Sequence, residues 1–168
     1  MRDVVRCVWG VSSLGDFLAA VSPRGLVALE LGSNRPAMMA ALRARLPETE
    51  VVDRSDELRE VAERAQRAIE APGVDPGIPL DLRGTAYQLE VWSMLQSIPA
   101  GETTSYGALA ARLGTRDARE VTAAIASNPV AVLVPCHRVI KKDGSISGYR
   151  WGVARKRELL RREWVVSM

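Results

Sequence analysis

The sequence predicts an α+β chain in two parts: a small N-terminal α/β unit with antiparallel strands, then a mostly helical C-terminal unit containing a helix-turn-helix. Three observations carry this. The chain opens with three short β-prone runs separated by Gly and Pro turns. The stretch Ala71-Pro72-Gly73-Val74-Asp75-Pro76-Gly77-Ile78-Pro79 is the only clear linker. Beyond it, apolar residues recur mostly at helical spacing. The expected boundary is near residue 80, giving a structural domain with linker over 1–79 and a second domain over 80–168. A length of 168 residues suits one domain or two small ones, and 47% hydrophobic residues are enough for a core.

In chain order, residues 4–12, 16–22 and 26–31 read as strands, with Gly15 in the first turn and Pro23-Arg24-Gly25 in the second. Cys7, in the first strand with no second Cys or His near it, reads as structural. Residues 36–46 have helical spacing (Met38, Met39, Leu42, Leu46), with Pro36 in the first turn and Pro47 as a stop. Val51-Val52 suggests a further short strand. Ser55 is the expected N-cap of the next helix, whose apolar stripe is Leu58, Val61, Ala65, Ala68 and Ile69. After the linker, Leu80-Asp81-Leu82 is a short extended segment. Thr85 caps a helix over 86–96. Thr104-Ser105 starts a second over 106–113, closed by Gly114, and a third spans 119–127 before Asn128-Pro129. Residues 130–134 are apolar and β-branched and read as a buried strand ended by Pro135. Lys141-Lys142-Asp143-Gly144 reads as a hairpin turn, and a basic helix over 153–164 closes the pattern.

Charge is unevenly placed. Residues 1–84 hold 11 arginines against 13 carboxylates, a net −2; residues 85–168 hold 12 basic against 7 acidic residues, a net +5. A polyanionic partner for the C-terminal half or a plain solvated basic face would both produce this. No apolar run approaches the roughly 20 residues of a membrane span. The N-terminus lacks the apolar core of a signal peptide. Two cysteines make no disulfide framework, so a reducing cytoplasm is the expected compartment.

Pro135-Cys136-His137-Arg138-Val139-Ile140 holds the single histidine and one of the two cysteines. A cysteine here is either a small buried hydrophobe or a nucleophile beside its base. Neighbouring side chains on an extended strand face opposite ways, so the pair meets only if the backbone turns or a water bridges it. The helices over 106–113 and 119–127, joined by a Gly-containing turn, fit a helix-turn-helix or an ordinary helical hairpin. In the first reading the second helix recognises DNA, with Arg119 at its N-terminal end.

Several motifs in order resemble the O6-alkylguanine-DNA alkyltransferases: Leu80-Asp-Leu-Arg-Gly-Thr-Ala-Tyr-Gln88, Thr103-Thr-Ser-Tyr-Gly107, Ser127-Asn-Pro129, Pro135-Cys-His-Arg-Val139 and Ser147-Gly-Tyr-Arg-Trp-Gly-Val153. The resemblance covers nearly the whole chain and implies a ribonuclease-H-like N-terminal unit. It also implies single-use, irreversible transfer of an alkyl group from O6 of guanine, and from O4-alkylthymine, to Cys136. The reaction needs no cofactor and no metal. The implied partner is double-stranded DNA carrying O6-alkylguanine, met by a monomer.

The resemblance also assigns roles. Cys136 would be the acceptor as thiolate. His137 would take its proton through a water and Glu163 would orient the imidazole. Tyr106 would donate its hydroxyl to a ring nitrogen of the leaving base, and Lys156 would lie near the thiol and O6. Tyr149 and Arg150 would contact the base, and the Val139 backbone would bound the pocket. Asn128 would tie the recognition helix to the active-site turn. Arg119 would enter the base stack as the target flips out. Arg138, Thr122 and Ala123 complete the implied DNA and substrate contacts, and the small residues Ala118, Ala123, Ala124 and Ala126 suit the recognition helix to a minor groove.

Some positions depart from the family pattern. The turn from Gly114 to Arg119 is one residue short and lacks the common proline. Glu120 and Thr122 stand where smaller residues are typical. A carboxylate near phosphates weakens binding unless a neighbour such as Arg116 neutralises it. The zinc site of some members cannot form with Cys7 alone in the N-terminal unit. Three other readings are weaker. A non-catalytic alkyl-base sensor lacks the cysteine, a helix-turn-helix regulator leaves the Cys-His-Glu set unexplained, and a Cys-His hydrolase has no evident oxyanion site.

Overall fold

A computed structural model describes residues 3–114, 117–146 and 148–167. The chain forms two units, Met1–Glu70 with Val74–Arg83 and Ala71–Gly73 with Gly84–Met168. The partition thus falls after Arg83, four residues beyond the expected boundary. Leu80 is held by the first unit: it bridges Leu26, Leu26 N donates to Pro79 O (2.8 Å), and Asp81 N donates to Leu26 O (2.9 Å).

The first unit is a four-stranded sheet with helices. Strands β1 (Asp3–Ser12), β2 (Gly15–Ser22) and β3 (Gly25–Leu31) form an antiparallel meander, and β4 (Thr49–Asp53) pairs parallel to β1, giving the order β3-β2-β1-β4. Pro23 lies in the second turn, and Gly15 and Gly25 open β2 and β3 directly after their turns. Gly25 is required there: its φ is +152°, and a Cβ would lie 2.4 Å from Pro79 O. At Gly10 the facing Phe17 ring lies across the backbone, so a Cβ would sit 2.2 Å from Cζ.

Helix α1 (Arg35–Arg45) starts from an Asn34 cap with Pro36 in its first turn. It buries Leu42 in a cluster with Val5, Cys7, Leu18, Ala20 and Val51. Cys7 is therefore a core residue, and burial pushes its thiol up to about 11. Helix α2 (Arg59–Glu70) buries Ala65, Ala68 and Ile69 and packs on β1. Ser55 does not cap it. Its N–H and hydroxyl both donate to Asp53 Oδ1 (3.0 and 2.8 Å), closing a local turn four residues ahead of the helix.

The second unit is mostly helical. Helix α3 (Ala86–Gln96) opens with a full capping box: Gln88 N donates to Thr85 Oγ1 (3.1 Å) and Thr85 N donates to Gln88 Oε1 (2.9 Å). Strand β5 (Thr104–Ser105) leads into α4 (Tyr106–Arg112), capped by Ser105 and followed by Gly114 at φ +72°. Helix α5 (Ala118–Ala126) packs on both α3 and α4. These are the two helices of the helix-turn-helix. Its turn residues Thr115 and Arg116, and with them the expected screening of Glu120 by Arg116, lie outside the described residues, as does Ser147. Trp92, almost wholly buried, donates Nε1–H to Ala124 O (2.9 Å), and Gln88 Nε2 donates to Ser127 Oγ (3.2 Å).

Residues 130–134 are not a strand. They are buried, as their composition demands, but they turn, with Val132 at φ +70°. Such a conformation in a β-branched residue costs on the order of 1–3 kcal/mol and persists only where surrounding bonds impose it. Asn128 imposes it: Oδ1 accepts Val130 N–H (2.9 Å) and Nδ2 donates to Val134 O (2.8 Å). Cys136–Arg138 then form a single 3-10 turn, leading into β6 (Val139–Ile140) and finally α6 (Val153–Ser167). No helix among the described residues is long and apolar enough to cross a membrane.

Candidate active site

The site is assembled by two very short elements. β6 pairs parallel with β5, Thr104 against Val139 and Ser105 against Ile140. This ladder brings Tyr106, first residue of α4, to the same cavity as Cys136, which lies just before β6. The cavity measures about 470 Å3, within the usual range for a small-molecule site. Tyr106, Thr122, Cys136, Tyr149 and Arg150, all among the residues singled out in the sequence, line it. Ile125, Ala126, Lys141 and Gly148 also line it without having been assigned a place there. For Lys141 the available signal was its position directly after the Cys-His segment.

Cys136 is 5% exposed. Burial pushes its thiol up to about 11, against the pull of Asn128 Nδ2, 3.2 Å from Sγ, and of the Lys156 ammonium. Lys156 is fully buried on α6 and reaches Gly148 O at 3.4 Å. Burial pulls its own pKa down, while Cys136 opposes that shift. The Tyr149 hydroxyl is buried without a hydrogen-bond partner, and its pKa lies well above the ordinary value through burial and then the nearby Cys136. Its ring meets Trp151 edge-on, 5.2 Å between centroids.

Directly after Cys136 in the chain, His137 and Arg138 form a buried charge cluster with Glu163. His137 Nε2 is 2.5 Å from Glu163 Oε1, and His137 Nδ1 has no hydrogen-bond partner among the described residues. The backbone does turn here, as the 3-10 turn over Cys136–Arg138. Burial works against the Glu163 carboxylate, but His137 and Arg138 outweigh it and hold it down at about 2. For His137 burial dominates and disfavours the imidazolium, lowering the pKa despite Glu163.

Other expected residues fall in three places. Arg119, Thr122, Ala123 and Ala126 are all exposed on one face of α5, the i, i+3, i+4, i+7 stripe opposite buried Val121, Ala124 and Ile125. Arg119 has 93% of its side chain exposed, and its Nε lies 3.2 Å from Asp117, the helix cap. Thr122 Oγ1 donates to Ala118 O (2.8 Å), so its polar atom is already satisfied by the helix. Glu120 is exposed in the first turn. Asn128 is bonded to the turn and to Cys136 Sγ. Arg150 lines the cavity while its Nη1 donates to Asn128 O (2.7 Å) and its guanidinium stacks on Trp151.

One assignment needs correction. Arg138 does not face solvent or the cavity. It is 7% exposed and bonds inward to Glu163 and to Ile98 O (2.6 Å), because a buried carboxylate requires a fixed counter-charge. Val139 is fully buried, and its N–H donates to Cys136 O at the close of the 3-10 turn.

One cavity is thus lined both by the Cys136 thiol and by Thr122, Ile125 and Ala126 of the second helix of the pair. Residues 86–165 match the family model for the 6-O-methylguanine DNA methyltransferase DNA-binding domain. The chain is 38% identical over 148 residues to the inducible methylated-DNA–protein-cysteine methyltransferase of Bacillus subtilis, covering 86% of this chain and 82% of that one. It is 39% identical over 160 residues to the bifunctional transcriptional activator/DNA repair enzyme Ada of Escherichia coli, covering 95% of this chain but 45% of that protein. A crystal structure of Mycobacterium tuberculosis OGT in complex with DNA superposes with a TM-score of 0.70 at 33% identity, covering 96% of this chain and 93% of that one. The chain belongs to the methylated-DNA–protein-cysteine methyltransferase family. It spans less than half the length of the Ada proteins it matches.

Proposed function

We propose that this protein repairs DNA by transferring the alkyl group of O6-alkylguanine, and of O4-alkylthymine, irreversibly to Cys136, once per molecule. The observation that carries the reading is a thiol lining a base-sized cavity with Tyr106, backed by the buried His137–Glu163 pair. In this reading His137, neutral and with Nδ1 unpartnered, accepts the thiol proton through a water. The Sγ electron pair forms the S–C bond, the C–O6 bond breaks, and its electrons return to the guanine ring. Tyr106 supplies a hydrogen bond to a ring nitrogen, so the departing base does not leave as a bare anion. Lys156 supports the thiolate, and Asn128 holds the turn that carries it. The thioether has no route back to a thiol, so the reaction stops at one turnover.

Double-stranded DNA is the proposed partner, and the chain acts on it as a monomer. Support comes from the solved relative bound to DNA and from the exposed small-residue face of α5 with Arg119 at its head. The target atom is inside the stack, so the base must be flipped into the cavity with Arg119 filling its place. A reducing compartment, the cytoplasm, suits a thiol that must stay free, and Cys7 and Cys136 are both unbridged.

Rates on two substrates test the reading. Arg119→Ala is expected to slow transfer from duplex O6-methylguanine far more than transfer from free O6-benzylguanine, which needs no flipping. Equal losses on both would refute the flipping role. DNA binding by the wild-type protein with no transfer to Cys136 would favour a sensor.

A further inference from the structure

The cluster behind Cys136 contains more than the proposed chemistry uses. Glu163 Oε1 takes His137 Nε2 (2.5 Å), Arg138 Nη2 (2.8 Å) and Arg138 Nε (3.0 Å), while Oε2 takes Arg138 Nε at 2.9 Å. The other arm of the guanidinium, Nη1, donates to Ile98 O at 2.6 Å, just past the end of α3. Arg138 is therefore bolted to the backbone on one side and holds the carboxylate on the other. All three ionisable side chains are buried. Only Arg138 carries a permanent charge.

We propose that Arg138 is a positioning residue for alkyl transfer: it fixes Glu163 as an anion, so that a neutral His137 donates from Nε2 and turns a free Nδ1 lone pair toward the thiol side. This rests on the reading of Cys136 as the acceptor. The charge count explains why two partners are needed. With Arg138 in place, the Arg138–Glu163 pair is neutral by itself and His137 need not be protonated at rest. Without it, a buried carboxylate has one possible counter-ion on its own surface, the imidazolium. His137 would then hold its second proton and could not accept one from Cys136. The groups around His137 act consistently: Arg138 on its own turn and Lys156 on α6 disfavour the imidazolium, and Glu163 on α6 favours it. Cys136, the neighbour on the same turn, would favour it only as thiolate.

Lysine cannot replace this arginine fully. The guanidinium fork meets the carboxylate and the Ile98 carbonyl in fixed directions, whereas an ammonium is a single point of charge.

The single histidine makes the test clean. Nitrogen-15 NMR of the full chain reads the tautomer and titration of His137 directly, and the pH profile of transfer from free O6-benzylguanine reads its role. In the wild type we expect a neutral ring protonated on Nε2 at pH 7. In Arg138→Gln the His137 titration and the acidic limb of the rate profile move together to higher pH. Rates on the acidic side fall about tenfold for each unit of movement, and recover at high pH. Arg138→Lys is expected to move both by less, and it is the variant read if Arg138→Gln does not fold. A folded variant with His137 titration and acidic limb unmoved, or with a loss equal at every pH, would leave Arg138 a merely structural residue and overturn the proposal. Failure of the wild type to transfer alkyl would instead defeat the reading of Cys136, while the NMR comparison would still decide the role of Arg138.

Discussion

Replacing Asn128 with alanine should be among the most damaging single changes outside the charge cluster. The side chain is fully buried and makes three bonds: to Val130 N–H, to Val134 O and to Cys136 Sγ. Alanine leaves the buried Val130 N–H unpaired, at roughly 1–3 kcal/mol, and takes one of two donors from Val134 O, which keeps Cys136 N–H (2.8 Å). That loss is set against a typical total stability of about 5–15 kcal/mol. The backbone bonds that remain in the turn hold Val132 at φ +70° less firmly once the side-chain clamp is gone. The thiol also loses a donor that lowers its pKa, so it should titrate still higher. Asn128→Asp separates the effects: the carboxylate keeps the acceptor for Val130 but presents oxygen to Val134 O and to the sulfur. Urea unfolding gives the stability, and the pH dependence of Cys136 reactivity toward a disulfide reagent gives the thiol. A change within about 0.5 kcal/mol, the size of an ordinary surface substitution, would refute the clamp.

Gly10→Ala should lower the melting temperature by overpacking the buried Phe17 ring, a cost of about 1–3 kcal/mol; an unchanged melt would show that the sheet yields there. Lys156→Met should slow alkyl transfer and raise the Cys136 titration, because it removes a cation that pulls the thiol pKa down; an unmoved titration would separate lysine from thiol. Stability should fall in two stages as pH drops. His137, with its pKa lowered by burial, binds fewer protons folded than unfolded, so stability declines below about 6.5. Glu163, held at about 2, contributes stability that is full above the unfolded carboxylate value near 4.3 and is lost as pH falls toward 2. Urea midpoints at about pH 7, 5.5 and 4 measure both stages, and flat midpoints would contradict the cluster as described.

Local punctuation made most elements legible in the sequence. Gly15, Pro23 and Gly25 separate the meander strands, Pro36 and Thr85 begin helices, and Gly114 ends one. What stayed hidden depends on distant partners. Residues 130–134 carry strand composition, yet an asparagine side chain folds them into a buried turn. The β5–β6 ladder, which helps bring Tyr106 to the cavity of Cys136, is two residues long on each side, too short for any periodicity. Arg138 looks like one more cation in a basic half, and its inward pairing depends on Glu163, which lies on the last helix. The exposed stripe on α5 was half legible: the helix and its small residues were visible, but which of them faced outward followed only from the packing of Val121, Ala124 and Ile125.

The central claim is that Cys136 accepts one alkyl group from damaged DNA. Incubating the protein with duplex DNA containing O6-methylguanine, then measuring its intact mass and mapping the modified peptide, tests this directly. The account predicts one methyl in place of one thiol proton, located on Cys136, and no gain in Cys136→Ala. An unmodified wild-type protein, or a methyl located on any other residue, would contradict it.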